Sequence, residues 1–267
     1  MIRFSSFVFG VGIFFAGIFC FASPVAAYST NMSASVVIGQ ADFTNNSANQ
    51  GGSVGANTLG TRVRSILVDA MGRLIVSDST NHRILIWNSI PVSNNVPADI
   101  VLGQPNFTSS TANNGGRQAS TLSTPSQIAT DGTRFFVADA NNNRILIWNT
   151  LPTRNQQPAD VVVGQVDMAS AATACNSSGL NGPHGVTVYK NRLVISIGGN
   201  SSTPNRILIY NSIPVTNGRS ADLVLGQVDF TTCGLSAVSS TSFKVPYHMF
   251  VDENGKLYLA DNTRSSL

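Results

Sequence analysis

The chain has 267 residues, of which 42% are hydrophobic and only 11% are charged, and its formal net charge is +3. The low charge excludes a charge-rich disordered chain and a long exposed coiled coil. The small net charge argues against nucleic acid as a partner. One Glu and three Lys are too few to build surface helices, whereas 23 Gly and 11 Pro are typical of short strands joined by turns. We therefore predict an all-β protein.

The amino terminus has the pattern of a secretory signal peptide. Arg3 is followed by an unbroken run of apolar and small residues over 7–22, and small residues then end the segment at Ala27. We predict a signal peptide over 1–27, cleaved after Ala27, and a mature chain of 28–267 that is secreted or periplasmic. The apolar run is shorter than the ~20 residues of a spanning helix, so no stable membrane span is expected after cleavage. An uncleaved N-terminal anchor remains the alternative.

The strongest signal is an internal repeat of about sixty residues. The block Arg-Ile-Leu-Ile-aromatic-Asn begins at Arg83, Arg144 and Arg206, which are 61 and 62 residues apart. A second block, Ala-Asp followed by three aliphatic residues and Gly-Gln, recurs with the same period over 98–104, 159–165 and 221–227. Repeated blocks at one period indicate a repeat architecture, in which each unit buries its faces against its neighbours.

Each period contains four strand-like runs, which in the first copy cover 65–69, 73–78, 83–87 and 99–104. Short runs rich in Val, Ile and Leu, separated by Gly, Asn and Pro, are typical of strands. Four antiparallel strands at this period describe a blade of a β-propeller. We predict complete blades over 63–104, 125–165 and 183–227, an outer strand of a further blade at 35–40, and the first two strands of a fourth blade at 246–261.

The turn between the second and third strands carries a family resemblance. Asp78-Ser79-Thr80-Asn81-His82-Arg83 and the strand that follows resemble the signature of NHL repeats, and residues 139–148 match it nearly as well. The third copy departs, because Ser196-Ile197-Gly198-Gly199 replaces the acidic turn. The resemblance covers about 35–262 and implies a propeller of NHL-type blades, but by itself it implies no function.

Three complete blades and parts of a fourth leave two interpretations open. The chain is either a fragment of a longer propeller, for example one of six blades, or a small four-bladed ring whose last blade lacks a strand. An open arc would expose one blade face and one strand edge.

Aligned copies place polar residues where the first strands begin. Arg64, Ser126, His184 and Tyr247 share one repeat position, and Ser65, Gln127, Gly185 and His248 share the next. First strands line the central channel of a propeller, so these residues should form a polar ring at its mouth. The binding candidates are Arg64, Ser126, Gln127, His184, Tyr247 and His248.

Pro183-His184-Gly185 resembles the Pro-His strand starts of the peptide-amidating lyase propeller, in which three such His hold a catalytic Zn. The resemblance makes His184 a weak candidate metal ligand. His248 lies one place later and should point elsewhere, because side chains alternate along a strand. Arg64 and Ser126 cannot replace the missing His. We therefore predict no catalytic residue and no cofactor, with Ca or Zn as the alternative.

Other polar residues recur in several blades, which favours a structural role over a catalytic one. The acidic residues that end second strands and the arginines that open third strands are Asp78, Asp139 and Asp261, and Arg83, Arg144 and Arg206. We expect each carboxylate to pair with Arg or to cap turn N–H groups.

Cys175 and Cys233 each lie in the loop after a Gly-Gln block, in adjacent blades. Such loops can approach one another, and an exported chain can oxidise them to a disulfide. Two unrelated free thiols are the alternative.

Every strong motif is thus repeated and architectural. The sequence favours an exported, non-enzymatic binding scaffold for a protein, peptide or glycan, with no nucleic-acid partner. The alternative is a metal-dependent propeller enzyme, amidating-lyase-like or lactonase-like, with its site at the channel mouth.

Overall fold

The computed structural model describes residues 30–198, 205–234 and 239–262. The predicted signal peptide over 1–27 lies outside these residues. In the ranges described, no helix is both long enough and apolar enough to span a bilayer. The strands all belong to one unit, Ser35–Leu267.

The strands form antiparallel sheets in which neighbours in sequence are neighbours in space. Blade 1 comprises β1 (Val63–Val68), β2 (Leu74–Asp78), β3 (Arg83–Trp87) and β4 (Ile100–Leu102). Blade 2 comprises β5 (Pro125–Thr130), β6 (Phe135–Asp139), β7 (Arg144–Trp148) and β8 (Val161–Val163). Blade 3 comprises β9 (Pro183–Tyr189), β10 (Arg192–Ile197), β11 (Arg206–Tyr210) and β12 (Leu223–Leu225). The described part of blade 4 comprises β13 (Pro246–Val251) and β14 (Leu257–Asp261).

The blades stack face to face, with their first strands side by side. β1 packs against β5, β5 against β9, and β9 against β13. Apolar side chains fill the space between successive sheets: Ile75 and Trp148 lie in the core between blades 1 and 2, and Phe136 and Ile195 in the core between blades 2 and 3. Both faces of a central blade are therefore buried, which explains the nearly continuous apolar runs. The predicted all-β propeller of three complete blades and part of a fourth is confirmed.

The prediction of a strand at 35–40 is not met, because this segment forms bends rather than a strand. It nevertheless occupies the place of an outer strand, since Val37 N–H donates to Asn94 Oδ1 at 2.9 Å. In the next blades Val101 N–H donates to Asn155 Oδ1 in the same way, and Val162 N–H to Asn217 Oδ1.

A buried ion pair fastens each of the first two blades. In blade 1 the Arg83 and Asp78 side chains are fully buried, and Arg83 Nε lies 2.8 Å from Asp78 Oδ2. The same guanidinium donates to the carbonyls of Phe107, Gly55 and Thr58, which lie in the loops on either side of the blade. Arg144 and Asp139 repeat this arrangement in blade 2.

Blade 3 departs from the pattern, because Ile197 stands opposite Arg206 where the other blades have Asp. Arg206 is as deeply buried as its counterparts and also donates to loop carbonyls, including that of Phe230 at 2.6 Å. Its Nε has no hydrogen-bond partner among the described residues.

The turns before β3 and β7 explain why His or Asn precedes Arg there. His82 and Asn143 adopt left-handed conformations, with φ values of 53° and 52°. Asn and, to a lesser degree, His tolerate this region better than most residues. His82 Nδ1 also accepts a hydrogen bond from Thr124 N–H, so its role is to form the turn and to link blades 1 and 2.

The outward faces of blades 1 and 4 carry exposed apolar side chains. On β1, Ile66 and Val68 are exposed, and on blade 4 Phe250 and Tyr258 are exposed. Among the described strands, blade 1 packs against blade 2 and blade 4 against blade 3.

We predict that Asp78→Asn lowers the free energy of unfolding by about 3–5 kcal/mol, because the buried Arg83 would lose its counter-charge. Denaturant unfolding measures this. Asp131→Asn is the control, since Asp131 pairs with the partly exposed Arg134 and its loss should cost less than about 1 kcal/mol. Equal effects of the two substitutions would contradict the role assigned to Asp78.

Candidate ligand site at the inner strands

Each first strand begins with a β-bulge at the same repeat position. Between β1 and β2 the register shifts at Arg64, and between β9 and β10 it shifts at His184. In blades 2 and 4 the shift spans 126–127 and 247–248. A bulge adds a residue that the partner strand does not match, so it re-aims the side chains at that point. The residues aligned by the repeat are therefore those that leave the regular ladder.

The bulges bring side chains from separate blades onto Tyr247. The His184 ring stacks on the Tyr247 ring with centroids 4.4 Å apart and planes 13° from parallel. The Arg64 guanidinium donates to the Tyr247 hydroxyl, and its carbon lies 5.8 Å from the ring centroid. These contacts join the first strands of blades 1, 3 and 4.

His248 belongs to the same group, contrary to the expectation from strict alternation. Its ring centroid lies 5.2 Å from that of Tyr247, and its Nε2 lies 3.3 Å from Ser126 Oγ. The bulge over 247–248 explains this, because two consecutive residues face one residue of β14 and need not point to opposite sides. We call Arg64, Ser126, His184, Tyr247 and His248 the inner-strand cluster.

Gln127, the sixth predicted binding residue, is engaged by the backbone. Its Nε2 donates to the Met249 carbonyl at 2.7 Å, and its Oε1 accepts from Met249 N–H and Val186 N–H. The side chain thus crosses from blade 2 to blades 3 and 4. It can pass because Gly185 has no side chain: a Cβ there would lie 2.5 Å from the Tyr247 carbonyl oxygen and 3.0 Å from Gln127 Oε1. Gln127 therefore uses its amide to bind backbone groups of two neighbouring blades and positions the cluster.

Burial controls the protonation of the two cluster histidines. It lowers the pKa of His184 to about 4. Repulsion from the Arg64 charge, and from His248 when that ring is protonated, acts in the same direction. Burial also lowers the pKa of His248, again with help from Arg64. Both imidazoles are therefore neutral at pH 7, and the positive charge of the cluster resides on Arg64.

Two buried atoms of the cluster lack hydrogen-bond partners within the part of the chain that the structure describes. They are Arg64 Nε and His184 Nδ1. Arg64 Nη1 is occupied by Tyr247, so the free Nε lies on the edge of the guanidinium that can pair with a carboxylate. The cluster can thus offer hydrogen bonds to an anionic group.

The cluster does not fit a catalytic zinc ion. Over 30–198, 205–234 and 239–262, no three His, Cys, Asp or Glu side chains are grouped so as to hold a metal. A catalytic Zn takes about three protein ligands, and only His184 and His248 are available here. The Arg64 guanidinium would repel a cation at the same place.

The repeated acidic residues lie outside the cluster. Asp78 and Asp139 form the buried pairs described above, and Asp261 accepts hydrogen bonds from Lys244 N–H and Val245 N–H.

Cys175 and Cys233 form a disulfide between the loops that follow blades 2 and 3, with Cα atoms 6.2 Å apart.

Two serines that the sequence analysis does not single out fix the first strands. Ser77 Oγ donates to the Pro125 carbonyl at 3.1 Å, and Ser196 Oγ donates to the Tyr247 carbonyl. They hold the same repeat position on the second strands of blades 1 and 3. Aligning second strands as the first strands were aligned would have found them.

Comparison with known proteins gives likenesses of structure alone. No protein-family model and no curated protein sequence matches the chain. The NHL resemblance therefore remains a prediction from the sequence. Among solved structures, hydrazine synthase of Kuenenia stuttgartiensis has 10% identity and a TM-score of 0.46, over 76% of this chain and 43% of that chain. Glutaminyl cyclase of Myxococcus xanthus has 11% identity and a TM-score of 0.44, over 78% and 63%.

Virginiamycin B lyase from Staphylococcus aureus has 11% identity and a TM-score of 0.36, over 76% of this chain and 50% of that chain. The chain spans less than two thirds of the length of each of these three proteins. With TM-scores below 0.5, the likenesses carry no argument about activity.

We predict that Gln127→Ala destabilises the protein by about 2–4 kcal/mol, since three backbone hydrogen bonds would be lost and buried groups left unpaired. Thermal or denaturant unfolding measures this. Ser126→Ala, one residue away, removes a single long contact and should cost about 1 kcal/mol or less. A Gln127→Ala variant as stable as Ser126→Ala would show that the bridge does not hold the blades together.

We predict that His184 makes the protein less stable as the pH falls from 6.5 towards 4. The folded-state pKa is lowered, so the unfolded chain binds the proton first and the stabilisation present above pH 6.5 is lost below it. His184→Phe keeps the stacked ring but cannot titrate. Denaturant unfolding across this range should show a shallower loss for His184→Phe, by at most about 3 kcal/mol at the acid end. Parallel curves for the two proteins would contradict the assignment.

Proposed function

We propose that this chain is an exported, non-enzymatic binding scaffold that recognises a protein, peptide or glycan through a carboxylate bound at the inner-strand cluster. The observation that carries the proposal is that two buried atoms of the cluster, Arg64 Nε and His184 Nδ1, have no hydrogen-bond partner among the residues that the structure describes. Export rests on the signal peptide predicted over residues 1–27.

The chemistry of the cluster favours an anion. Arg64 is its one cationic group at neutral pH, because the pKa values of both histidines are lowered. Tyr247 accepts a hydrogen bond from Nη1 of the guanidinium, and the buried Nε has no hydrogen-bond partner among the described residues. The aromatic rings of Tyr247 and His184 add a stacked surface against which an apolar or sugar ring can pack.

Hydrogen bonds hold the strands that carry the cluster in place, so a ligand that reaches the buried Arg64 Nε would have to displace side chains and not strands. Gln127 ties the first strands of blades 2, 3 and 4, and Ser196 ties the second strand of blade 3 to Tyr247. Strands that are already fixed lose little conformational entropy when a ligand binds.

A metal-dependent lyase or hydrolase is the alternative considered from the sequence. It is less well supported, since the cluster offers two imidazoles beside a guanidinium, and a hydrolytic Zn site usually needs three ligands and no adjacent cation. An anion-binding scaffold uses the same residues without that conflict.

The test is binding to defined arrays of peptides and oligosaccharides in matched pairs: peptides with a free or an amidated carboxyl terminus, and oligosaccharides with uronic acids or their neutral counterparts. We expect the carboxylate member of a pair to bind more tightly, and Arg64→Gln to weaken that binding about 10- to 100-fold, equivalent to one charge-assisted hydrogen-bonded pair.

The control is Arg62→Gln, because Arg62 lies two residues away, is exposed, and makes its backbone hydrogen bonds to Ser79 and Thr80. This variant should bind as tightly as the unmodified protein. Equal binding of both members of every pair, or equal losses in the two Arg variants, would refute the proposed site. The peptide and glycan arms of the array distinguish the ligand classes.

A further inference from the structure

The disulfide Cys175–Cys233 lies against a buried cation. Arg206 Nη1 donates to Cys175 Sγ at 3.8 Å, and Arg206 Nη2 donates to the carbonyl of the adjoining Asn176 at 3.0 Å. The Arg206 side chain is fully buried. Both cysteines are partly exposed residues.

This guanidinium lacks the counter-charge that its counterparts have. Arg83 and Arg144 each pair with a buried carboxylate at 2.8 and 2.7 Å, whereas Arg206 faces Ile197. Among the described residues Arg206 forms no ion pair, and the residues outside the described ranges contain no Asp or Glu. Burial also lowers the pKa of Arg206, as expected for an uncompensated cation.

The guanidinium is in direct contact with one of the two sulfur atoms. The structure gives Arg206 a contact with Cys175 Sγ and none with Cys233 Sγ. Asp229 lies four residues before Cys233, and its carboxylate accepts from Thr231 N–H and Thr232 N–H. A thiolate formed at Cys175 would therefore be stabilised by direct contact with the guanidinium, and a thiolate at Cys233 would be stabilised less because it lacks that contact.

We propose that Cys175–Cys233 is an exchange-active disulfide, in which an external thiolate attacks Cys233 Sγ and Cys175 leaves as a thiolate paired with Arg206. The site is thus a point of reversible modification of Cys233 by small thiols. The Cys175 thiolate supplies the anion that Asp78 and Asp139 supply in the other blades.

The exchange balances as follows. The external thiolate forms a new S–S bond to Cys233 while the Cys175–Cys233 bond breaks, and the electron pair of that bond goes to Cys175. The product is a mixed disulfide on Cys233 and a thiolate on Cys175. A second thiolate can then attack the external sulfur of the mixed disulfide, which releases the oxidised external disulfide and the Cys233 thiolate. Two thiols are oxidised and one protein disulfide is reduced.

The first experiment identifies the attacked sulfur. The full chain is treated briefly with glutathione, free thiols are blocked with iodoacetamide, and the products are located by peptide mass spectrometry. We expect glutathione on Cys233 and the blocking group on Cys175, in at least tenfold excess over the reverse pattern. A reverse or even distribution would overturn the proposal.

The second experiment tests the role of Arg206 without removing it. Ile197→Asp places a carboxylate opposite Arg206, in the register that Asp78 has opposite Arg83. We expect this variant to fold and to exchange with glutathione about tenfold more slowly, because its guanidinium is already paired. Arg206→Met removes the charge and should slow exchange by a similar factor.

A final measurement separates charge from folding. In the reduced chain the alkylation rate of Cys175 should reach half its maximum at a pH well below the ~8.5 of a free thiol, and Ile197→Asp should move this midpoint upward. Arg134→Met, a substitution of a partly exposed arginine in blade 2, is the control and should leave rate and midpoint unchanged. An unchanged exchange rate in Ile197→Asp would overturn the proposal even if Arg206→Met failed to fold.

Discussion

The architecture depends on one arginine in each complete blade, buried where the third strand begins. A guanidinium removed from water is costly unless its N–H groups are satisfied, so it forces the surrounding chain to present carbonyls to it. In blade 1 these carbonyls belong to Gly55, Thr58 and Phe107, which lie in two different loops. The arginine therefore fixes the segments that lead into and out of its blade. It also fixes where the first strand starts.

The start of the first strand is the point that matters for binding. Because the loops are held by the buried arginines and the first strands by Ser77, Gln127 and Ser196, the bulged residues of separate blades converge within side-chain reach. The cluster around Tyr247 is a consequence of this convergence. Its charge is set by desolvation, which keeps the two histidines neutral and leaves Arg64 as the cation.

Sequence reasoning could predict the features that repeat. The period located the blades, and the aligned copies located the positions that carry Arg64, Ser126, His184 and Tyr247. It could not predict features that depend on a local irregularity of a strand. Strict alternation predicts that His248 and Tyr247 point to opposite sides of β13, whereas the bulge over 247–248 brings their rings together. Nor could it show that Gln127 is engaged by backbone groups, because this depends on the space left by Gly185. The segment 35–40 has the sequence of a strand but forms bends, with Val37 N–H bound to the Asn94 side chain.

Departures from the repeat gather in blade 3. Ile197 replaces the acidic residue, Gly185 replaces a side chain that elsewhere accepts a hydrogen bond from the next blade, and Cys175 contacts the unpaired guanidinium. Ser65 Oγ accepts a hydrogen bond from Ile128 N–H, and Gln127 Oε1 accepts one from Val186 N–H, in each case from the following blade. Gly185 has no side chain to do the same for blade 4, and Gln127 Oε1 accepts the hydrogen bond from Met249 N–H instead. Where a repeat loses a stabilising group, the compensation comes from an adjacent blade.

The bulges also affect which positions of such a repeat protein can be substituted during evolution. The residue that a bulge inserts is outside the ladder, so its identity is decoupled from strand pairing: cationic, hydroxyl, imidazole and phenol side chains occupy it in turn at Arg64, Ser126, His184 and Tyr247. There are four such positions, one in each described sheet, and their side chains can vary while the strand pairing around them stays the same. Duplicated units could diversify there one substitution at a time, and a protein engineer could randomise the same quartet to select new specificities.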